Sequence, residues 1–350
     1  MNKWYENMDD TSDIFISSRI RLARNLKTIN FAPKLSDEEA DALVNRVKEI
    51  LPKLKEVDKE KRYQACDVNE LSEIDRAAMV EKHIISPEFA HKKQHTGLIL
   101  SEDESVSIMV NEEDHIRLQV TLSGMNLVEA LKRANVIDDC LNEALDFAFD
   151  EKLGYLTTCP TNVGTGMRAS YLVFLPALTA AKRMPQITEE VSKYGIVIRS
   201  LYGDSSKNMS SFYQIANLKT MGFSELELIE NLNQFVSQIV QQEKKRRVYI
   251  LSTDYDELED KINRSYGILR YAKSISTSEA MSLLSDVKFG IDTGLLKTFD
   301  STNIFRLMMA IQPSSLQWKH SKNVGKVMRD HMRAEYIRER LPELEEESTS

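Results

Sequence analysis

A chain of 350 residues with 42% apolar and 29% charged side chains can bury an ordinary globular core, and its length is a soft prior for two domains. A formal net charge of -8 argues against nucleic acid as the main partner, because phosphate backbones select a basic face. Cys66, Cys140 and Cys159 are far apart, form no CxxC pair or metal-ligand spacing, and fit a reduced cytosolic chain.

In chain order, DIFISSRIRLARN alternates as a strand, which puts Arg19 and Arg21 on one face. Residues 36–51 read as a helix opened by a capping box of Ser36 and Glu39. A second helix is expected over 69–82. TGLILS and ESVSIMV are β-rich runs joined by acidic turn residues, an antiparallel pair around Glu102–Glu104. Residues 126–149 have helical spacing of Leu127, Ala130, Leu131, Ala134, Ile137, Leu141 and Leu145. The glycine-rich CPTNVGTGMRAS follows, with a helix predicted from Ser170 to Lys182 and strands near 195–202 and 211–217. A long helix is expected from Ser224 to about Arg247, after which β-type runs stop and the pattern stays helical. The boundary is placed near 250–256, dividing the chain into 1–252 and 253–350. No run approaches ~18 consecutive apolar residues, and the first residues lack the apolar stretch of a signal peptide. A soluble, non-exported chain without a membrane partner is expected.

Four segments hold residues suited to phosphate chemistry. Arg19 and Arg21 side by side repel unless a polyanion or carboxylates lie opposite, although an isolated RxR also fits a salt-bridged edge. In SIMVNEEDHIRLQV, Glu112, Glu113 and Asp114 interrupt an apolar β run, with Arg117 close behind. A surface turn would explain the triplet. An inward carboxylate would instead hold a cationic substrate and accept its proton. In CPTNVGTGMRAS, Gly164 and Gly166 permit close backbone approach, and Arg168 is expected at the entry of an apolar helix, where free N–H groups suit anions. The stretch is neither a Walker A loop nor a GxGxxG fingerprint. Cys159 there is a candidate thiolate or an inert buried thiol. IVIRSLYGDSS delivers Arg199 at a strand end, then Gly203 and Asp204. Arginines converging in an acidic chain fit a nucleoside triphosphate with Mg²⁺, since phosphoryl transfer depends on positioning and positive charge.

As a set, SSRIRLARN, NEEDHIR, CPTNVGTGMRAS and RSLYGD resemble the ATP:guanido phosphotransferase signature over roughly residues 12–250. The resemblance implies an α+β fold, a guanido-kinase-like catalytic domain with an antiparallel sheet flanked by helices, followed by a helical C-terminal domain. Such kinases usually carry a small helical domain before the SSRIR-like motif, whereas little precedes Ser17 here. That difference and the helical C-terminal region are similar to the bacterial protein arginine kinases.

The resemblance further implies ATP contacts at Ser17, Ser18, Arg19, Ile20, Arg21, His83, Arg117, Arg168, Ala169, Ser170, Tyr171 and Leu172, with Arg199, Ser200, Leu201, Tyr202, Gly203 and Asp204 closing over the phosphates. Glu113 is expected to orient the guanidinium and take its proton, with Asp204 and Cys159 as further catalytic residues. Where the family commonly has Gly-Glu, this chain has Gly203-Asp204, a carboxylate one methylene shorter; a misplacement on the order of 1 Å can cost ~100-fold in rate. RDHMRA resembles a phosphoarginine-sensing motif, implying Arg329, Asp330, Arg333 and Ala334 as its contacts. A salt-bridged helix is the plain alternative, with Arg329 and Arg333 four apart on one face. The implied cofactors are ATP and Mg²⁺ with no protein-held metal. The implied partners are protein substrates, an activating zinc-binding protein, a Clp ATPase and a second copy of the chain in a homodimer. A free-guanidine kinase and a weakly active phosphoarginine-binding adaptor are the competing readings.

Overall fold

Strand β1 (Phe15–Arg24) carries the alternation that organises the molecule. Ile20 and Leu22 are fully buried in the main core, while Arg19 and Arg21 between them line clefts on the other face. The computed structural model describes residues 3–6, 13–59, 61–201, 210–299, 303–320 and 324–345. It sets β1 within an eight-stranded sheet in which every pairing is antiparallel. The order runs β2 (Tyr63–Asp67), β3 (Gly97–Ser101), β4 (Val106–Val110), β5 (Ile116–Ser123), β1, β8 (Met167–Phe174), β10 (Phe212–Asn217) and β9 (Ile196–Ser200). Between β5 and β8 lies a small separate hairpin of β6 (Phe149–Asp150) and β7 (Gly154–Tyr155).

One face of the sheet is sealed by apolar stripes from α1 (Asp37–Lys48), α2 (Leu51–Val57), α5 (Leu127–Leu145), α7 (Met184–Ser192) and α8 (Glu225–Thr253). Serine-led capping boxes open α1 (Ser36 with Glu39) and α8 (Ser224 with Glu227). A third opens α3 (Glu73–Glu81), with Ser72 and Asp75. Each such cap stabilises its helix by about 1 kcal/mol. α3 and the short α4 (Pro87–Ala90) pack a satellite core over β3 and β4.

A second core joins the far end of the opposite face, through Leu172, Phe174 and Phe212, to the C-terminal helices. These are α9 (Tyr255–Tyr271), α10 (Thr277–Thr293), α11 (Ile304–Ala310), α12 (Pro313–His320) and α13 (Lys326–Arg340); α6 (Pro176–Ala180) lies between β8 and α7. The long helix breaks at Asp254, which ends α8 and begins α9. No helix among the described residues is long and apolar enough to cross a membrane.

The predicted helix from Ser170 to Lys182 is corrected. Residues 167–174 form β8, laddered to β1 on one side and β10 on the other. Met167, Ala169, Tyr171 and Val173 alternate inward along it, a period of two that two flanking strands can satisfy, and Pro176 leaves only the five-residue α6 afterwards. Arg168 therefore stands on a strand and draws nothing from a helix terminus. The helix expected over 69–82 begins only at Glu73, because Val68–Glu70 is a 3₁₀ turn and Ser72 is the cap. α5 stops at Leu145, ended by Asp146 in the left-handed region at φ 54°.

Candidate functional site

The register of the sheet builds an arginine stripe. Arg21 lies opposite Arg168 on β8 and opposite Gln119 on β5, and Arg117 lies opposite Ala23. Arg199 on β9 lies opposite Gln214 on β10, completing the stripe across the face. Like charges directly opposite destabilise a bare sheet. Burial first, then neighbouring Arg117 and Arg168, lowers the Arg19 pKa to about 10. Burial and the charges of Arg19, Arg117 and Arg168 push Arg21 well below its ordinary value. Arg168 is lowered by burial and by Arg199 and Arg117. Guanidinium groups stay protonated in proteins, so the stripe is a cationic surface with an excess of positive charge. Among the described residues the one carboxylate ion-paired with this group is Glu112, on Arg117. Among the described residues the buried Arg21 Nε has no hydrogen-bond partner.

Two adjoining clefts open on the stripe and share Arg199. One, of about 300 Å³, is lined by Arg21, Arg117, Arg168, Glu113 and Cys159 among others. The other, of about 210 Å³, is lined by Ser17, Arg19, His83, Ser170, Leu172, Ser200 and Leu201. His83 has a left-handed backbone at φ 59°, and its carbonyl accepts from Gln119 Nε2 at 2.9 Å. Burial and Arg19 lower its pKa to about 4, so the imidazole is neutral at neutral pH.

The three successive carboxylates have three environments. Glu112 is buried and accepts from Ser86 Oγ at 2.5 Å and from the Glu113 N–H at 2.6 Å. Although burial acts the other way, Arg117 and these donors hold its carboxyl below the ordinary range. Asp114 is buried and accepts at one oxygen from Asn25 Nδ2 at 2.7 Å and from the Thr158 N–H at 2.6 Å. Glu113 points into the cleft, and among the described residues its carboxylate accepts no hydrogen bond. Burial, then Asp114 and Glu112, raises its pKa. A carboxylate so placed suits a cation and a proton.

The glycine-rich loop is clamped against β1. Arg24, fully buried, donates Nε and Nη2 to Asp138 Oδ2 at 3.0 and 2.9 Å, and Nη1 to the carbonyls of Ala23 and Thr165 at 2.9 and 3.0 Å. Gly166 is left-handed at φ +62°, and a Cβ there would stand 2.6 Å from both Ala23 O and Arg24 Nη1. Glycine is thus required for this approach. At the head of the loop, Cys159 Sγ lies 3.1 Å from Thr161 Oγ1.

The structure brings together Ser17, Arg19, Arg21, His83, Glu113, Arg117, Cys159, Arg168, Ser170, Leu172, Arg199, Ser200 and Leu201. Four further expected residues do not line the clefts. Ser18, Ile20, Ala169 and Tyr171 are buried away from the clefts, because neighbours along a strand point to opposite faces. Ser18 Oγ bonds the Gly124 carbonyl at 2.7 Å, and the Tyr171 hydroxyl donates to Asn233 at 2.7 Å. Tyr202, Gly203 and Asp204 lie outside the described residues. Sequence reasoning missed Trp4, Lys82, Phe305 and Met309, which also line the second cleft. No local pattern marks them, since they arrive from distant elements.

On α13 the expected constellation divides. Arg333 is 1% exposed, and its Nε donates to Ile311 O at 3.0 Å and its Nη1 to Ile275 O at 2.9 Å and Asp330 Oδ1 at 2.5 Å. Ala334 is buried in the second core. The motif's second half faces inward and ties α13 to the residue before the α10 cap and the residue that ends α11. Arg329 and Asp330 remain partly exposed, with Arg329 Nη1 on Val324 O at 2.9 Å.

The profile of the ATP:guanido phosphotransferase C-terminal catalytic domain matches residues 42–246, and that of the protein-arginine kinase McsB C-terminal domain matches 255–350. Curated relatives named protein-arginine kinase include one from Bacillus cereus, 42% identical over 97% of this chain and 96% of its own length. Another, from Halothermothrix orenii, is 41% identical over 97% of both chains. Among solved structures, a lombricine kinase aligns with a TM-score of 0.58 at 20% identity, covering 69% of this chain and 70% of its own, a likeness of fold. The duplicated taurocyamine kinase of Schistosoma mansoni with bound transition-state-analogue components aligns with a TM-score of 0.58 at 25% identity, covering 68% of this chain and 35% of that longer one.

Proposed function

This chain belongs to the protein-arginine kinases of the ATP:guanido phosphotransferase family, and from that premise we propose that it transfers the γ-phosphoryl group of ATP to arginine side chains of proteins through the two clefts on the arginine stripe. The observation that carries the site assignment is the crowding of Arg19, Arg21, Arg117 and Arg168 along the two clefts, where burial and then neighbouring arginines lower Arg19, Arg21 and Arg168, a cationic stripe that a polyphosphate would neutralise. In this reading Arg19, His83, Ser170 and Leu172 hold the nucleoside end, and Arg21, Arg117, Arg168 and Arg199 hold the phosphates. Mg²⁺ would be held chiefly by those phosphates and would help neutralise their charge; among the described residues no group of three or more His, Cys, Asp or Glu side chains could hold a metal ion.

Glu113 receives the target guanidinium. A guanidinium nitrogen forms the bond to phosphorus as the bond to the ADP oxygen breaks, and the nitrogen's proton passes to the Glu113 carboxylate. An unperturbed guanidinium is effectively never deprotonated at neutral pH, so the carboxylate acts while N–P bonding develops, by position rather than by matched pKa. Cys159, which lines the same cleft, contributes to holding the same group. Asp204 is assigned the second carboxylate on sequence grounds, its shorter side chain making the reach of the 202–204 stretch decisive for rate.

We divide the chain at 252/253, with catalysis before the helix break at Asp254 and phosphoarginine recognition at Arg329 and Asp330 after it. The family resemblance supports a cytoplasmic enzyme of stress response and protein quality control. It further supports a homodimer that works with an activating zinc-binding protein and marks substrates for a Clp ATPase. Incubation with ATP, Mg²⁺ and an unfolded protein is expected to yield acid-labile phosphoarginine by mass spectrometry; none, even with the activator present, would sink the assignment.

A further inference from the structure

We propose that Glu81 is a positioning residue for the nucleotide: by holding the first turn of α12, it sets the C-terminal helices' side of the second cleft against the side built by the end of α3. The inference rests on the protein-arginine kinase reading, in which that cleft takes the nucleoside end, and it names what keeps the cleft in shape.

Glu81 is the last residue of α3, and both of its carboxylate oxygens are engaged by α12. Oε1 accepts from the Ser314 N–H at 2.8 Å, and Oε2 accepts from the Ser315 N–H at 2.7 Å and from Ser315 Oγ at 2.9 Å. Those amides belong to the opening turn of α12, just after Pro313, where helical N–H groups lack partners within the helix and the helix dipole favours an anion. An ordinary cap comes from the residue flanking the helix, whereas this one comes from another part of the chain.

The next two residues, Lys82 and His83, line the second cleft. Lys82 Nζ donates to Glu104 Oε1 at 3.2 Å and lies 4.8 Å from the ring centroid of Trp318, also on α12. Gln312 Nε2 donates to the Met308 carbonyl at 3.0 Å, and the Leu316 N–H donates to the Gln312 carbonyl at 3.0 Å. α11 and α12 are thus tied together through Gln312, and α11 contributes Phe305 and Met309 to the same cleft.

A brace serving stability alone could lie anywhere along the packed α3 and α12. Glu81 instead stands where the two walls of the cleft meet. Its chain neighbours form one wall, and the helix it caps directly follows the helix of the other. With the contact broken, the nucleoside end loses its fit, while Arg21, Arg117 and Arg168 keep their places on the sheet. Binding lost equally from the ground and transition states raises KM and leaves kcat.

The test uses the full-length protein, calorimetry with ADP and ATP, and steady-state phosphorylation of an unfolded protein. Glu81→Gln, which turns an amide NH₂ toward an N–H donor, is expected to weaken nucleotide binding and raise the KM for ATP by about tenfold. kcat at saturating ATP and the KM for protein should be retained. Ser315→Ala removes one of the three donors and should act in the same direction by about threefold. Ser265→Ala is the control: this hydroxyl bonds Asp286 between α9 and α10 at 3.0 Å, away from both clefts, so nucleotide affinity should stay at the wild-type value.

Wild-type affinity in folded Glu81→Gln overturns the assignment and makes the contact a structural brace; if that variant does not fold, wild-type affinity in Ser315→Ala overturns it. An equal loss in Ser265→Ala also overturns it, since general loosening of the helices then accounts for the effect. So does a fall in kcat with nucleotide affinity intact. A wild type that binds ATP without forming phosphoarginine would instead sink the kinase reading and leave the comparison of nucleotide affinities standing.

Discussion

The Thr158 backbone N–H donates to Asp114 Oδ1 at 2.6 Å, tying the acidic triplet between β4 and β5 to the residue before Cys159. Two segments that line the first cleft are thereby tied together. Asp114→Ala leaves the Thr158 N–H and Asn25 Nδ2 without their acceptor, at a cost of about 1–3 kcal/mol for each buried donor left unmade. Urea unfolding should register that loss. Activity should fall further than stability, through kcat, because the Cys159 loop loses its position relative to Glu113.

Glu113→Gln should abolish phosphoryl transfer, with the nucleotide still bound, by calorimetry, at close to wild-type affinity. Retained turnover would refute the proton-accepting role. Glu112→Gln should behave differently: it frees Arg117 from its ion pair, so phosphate binding changes while Glu113 remains in place.

The pH dependence follows from the sign of the Glu113 shift. Burial and the charges of Asp114 and Glu112 raise its pKa, so the ionised, proton-accepting form is lost on acidification at a pH above the ordinary glutamate range. The acid limb of kcat/KM, which reports the free enzyme, should lie above that range. The limb of kcat should move lower, since a bound guanidinium favours the carboxylate. A kcat/KM limb at or below the ordinary range would contradict the assignment.

Asp138→Asn leaves Arg24 buried with its charge unpaired, a change of about 3–5 kcal/mol in systems of this kind. Thermal unfolding should show a large drop. Arg24 also fixes the carbonyls of Ala23 and Thr165, so residual folded enzyme should have a poorly ordered glycine-rich loop and raised KM for both substrates.

Arg333→Met should chiefly destabilise, because that guanidinium bonds the carbonyls of Ile275 and Ile311 in the interior. Asp330→Ala should instead weaken phosphoarginine binding, measured by calorimetry with phosphoarginine. Equal loss of affinity in a fully folded Arg333→Met protein would restore Arg333 as a direct contact.

What the sequence alone determines here is whatever repeats with a short period or sits in a contiguous motif. The alternation that turns Arg19 and Arg21 away from Ile20 and Leu22, the Ser36–Glu39 cap and the β3–β4 hairpin are all local, and the four ordered motifs carry the family. The strand at 167–174 was not legible, because MRASYLVF satisfies either period until β1 and β10 supply partners on both sides. The acidic triplet could be seen, but not its division of labour. Only the fold decides that Glu112 meets Arg117 and Ser86, that Asp114 meets Thr158, and that Glu113 is left for a ligand. The same holds for Arg333, which motif reading assigns to a ligand and packing assigns to the interior. Phe305 and Met309 reach the second cleft because the C-terminal helices dock on the end of the arginine face, a long-range juxtaposition that no short window of residues encodes.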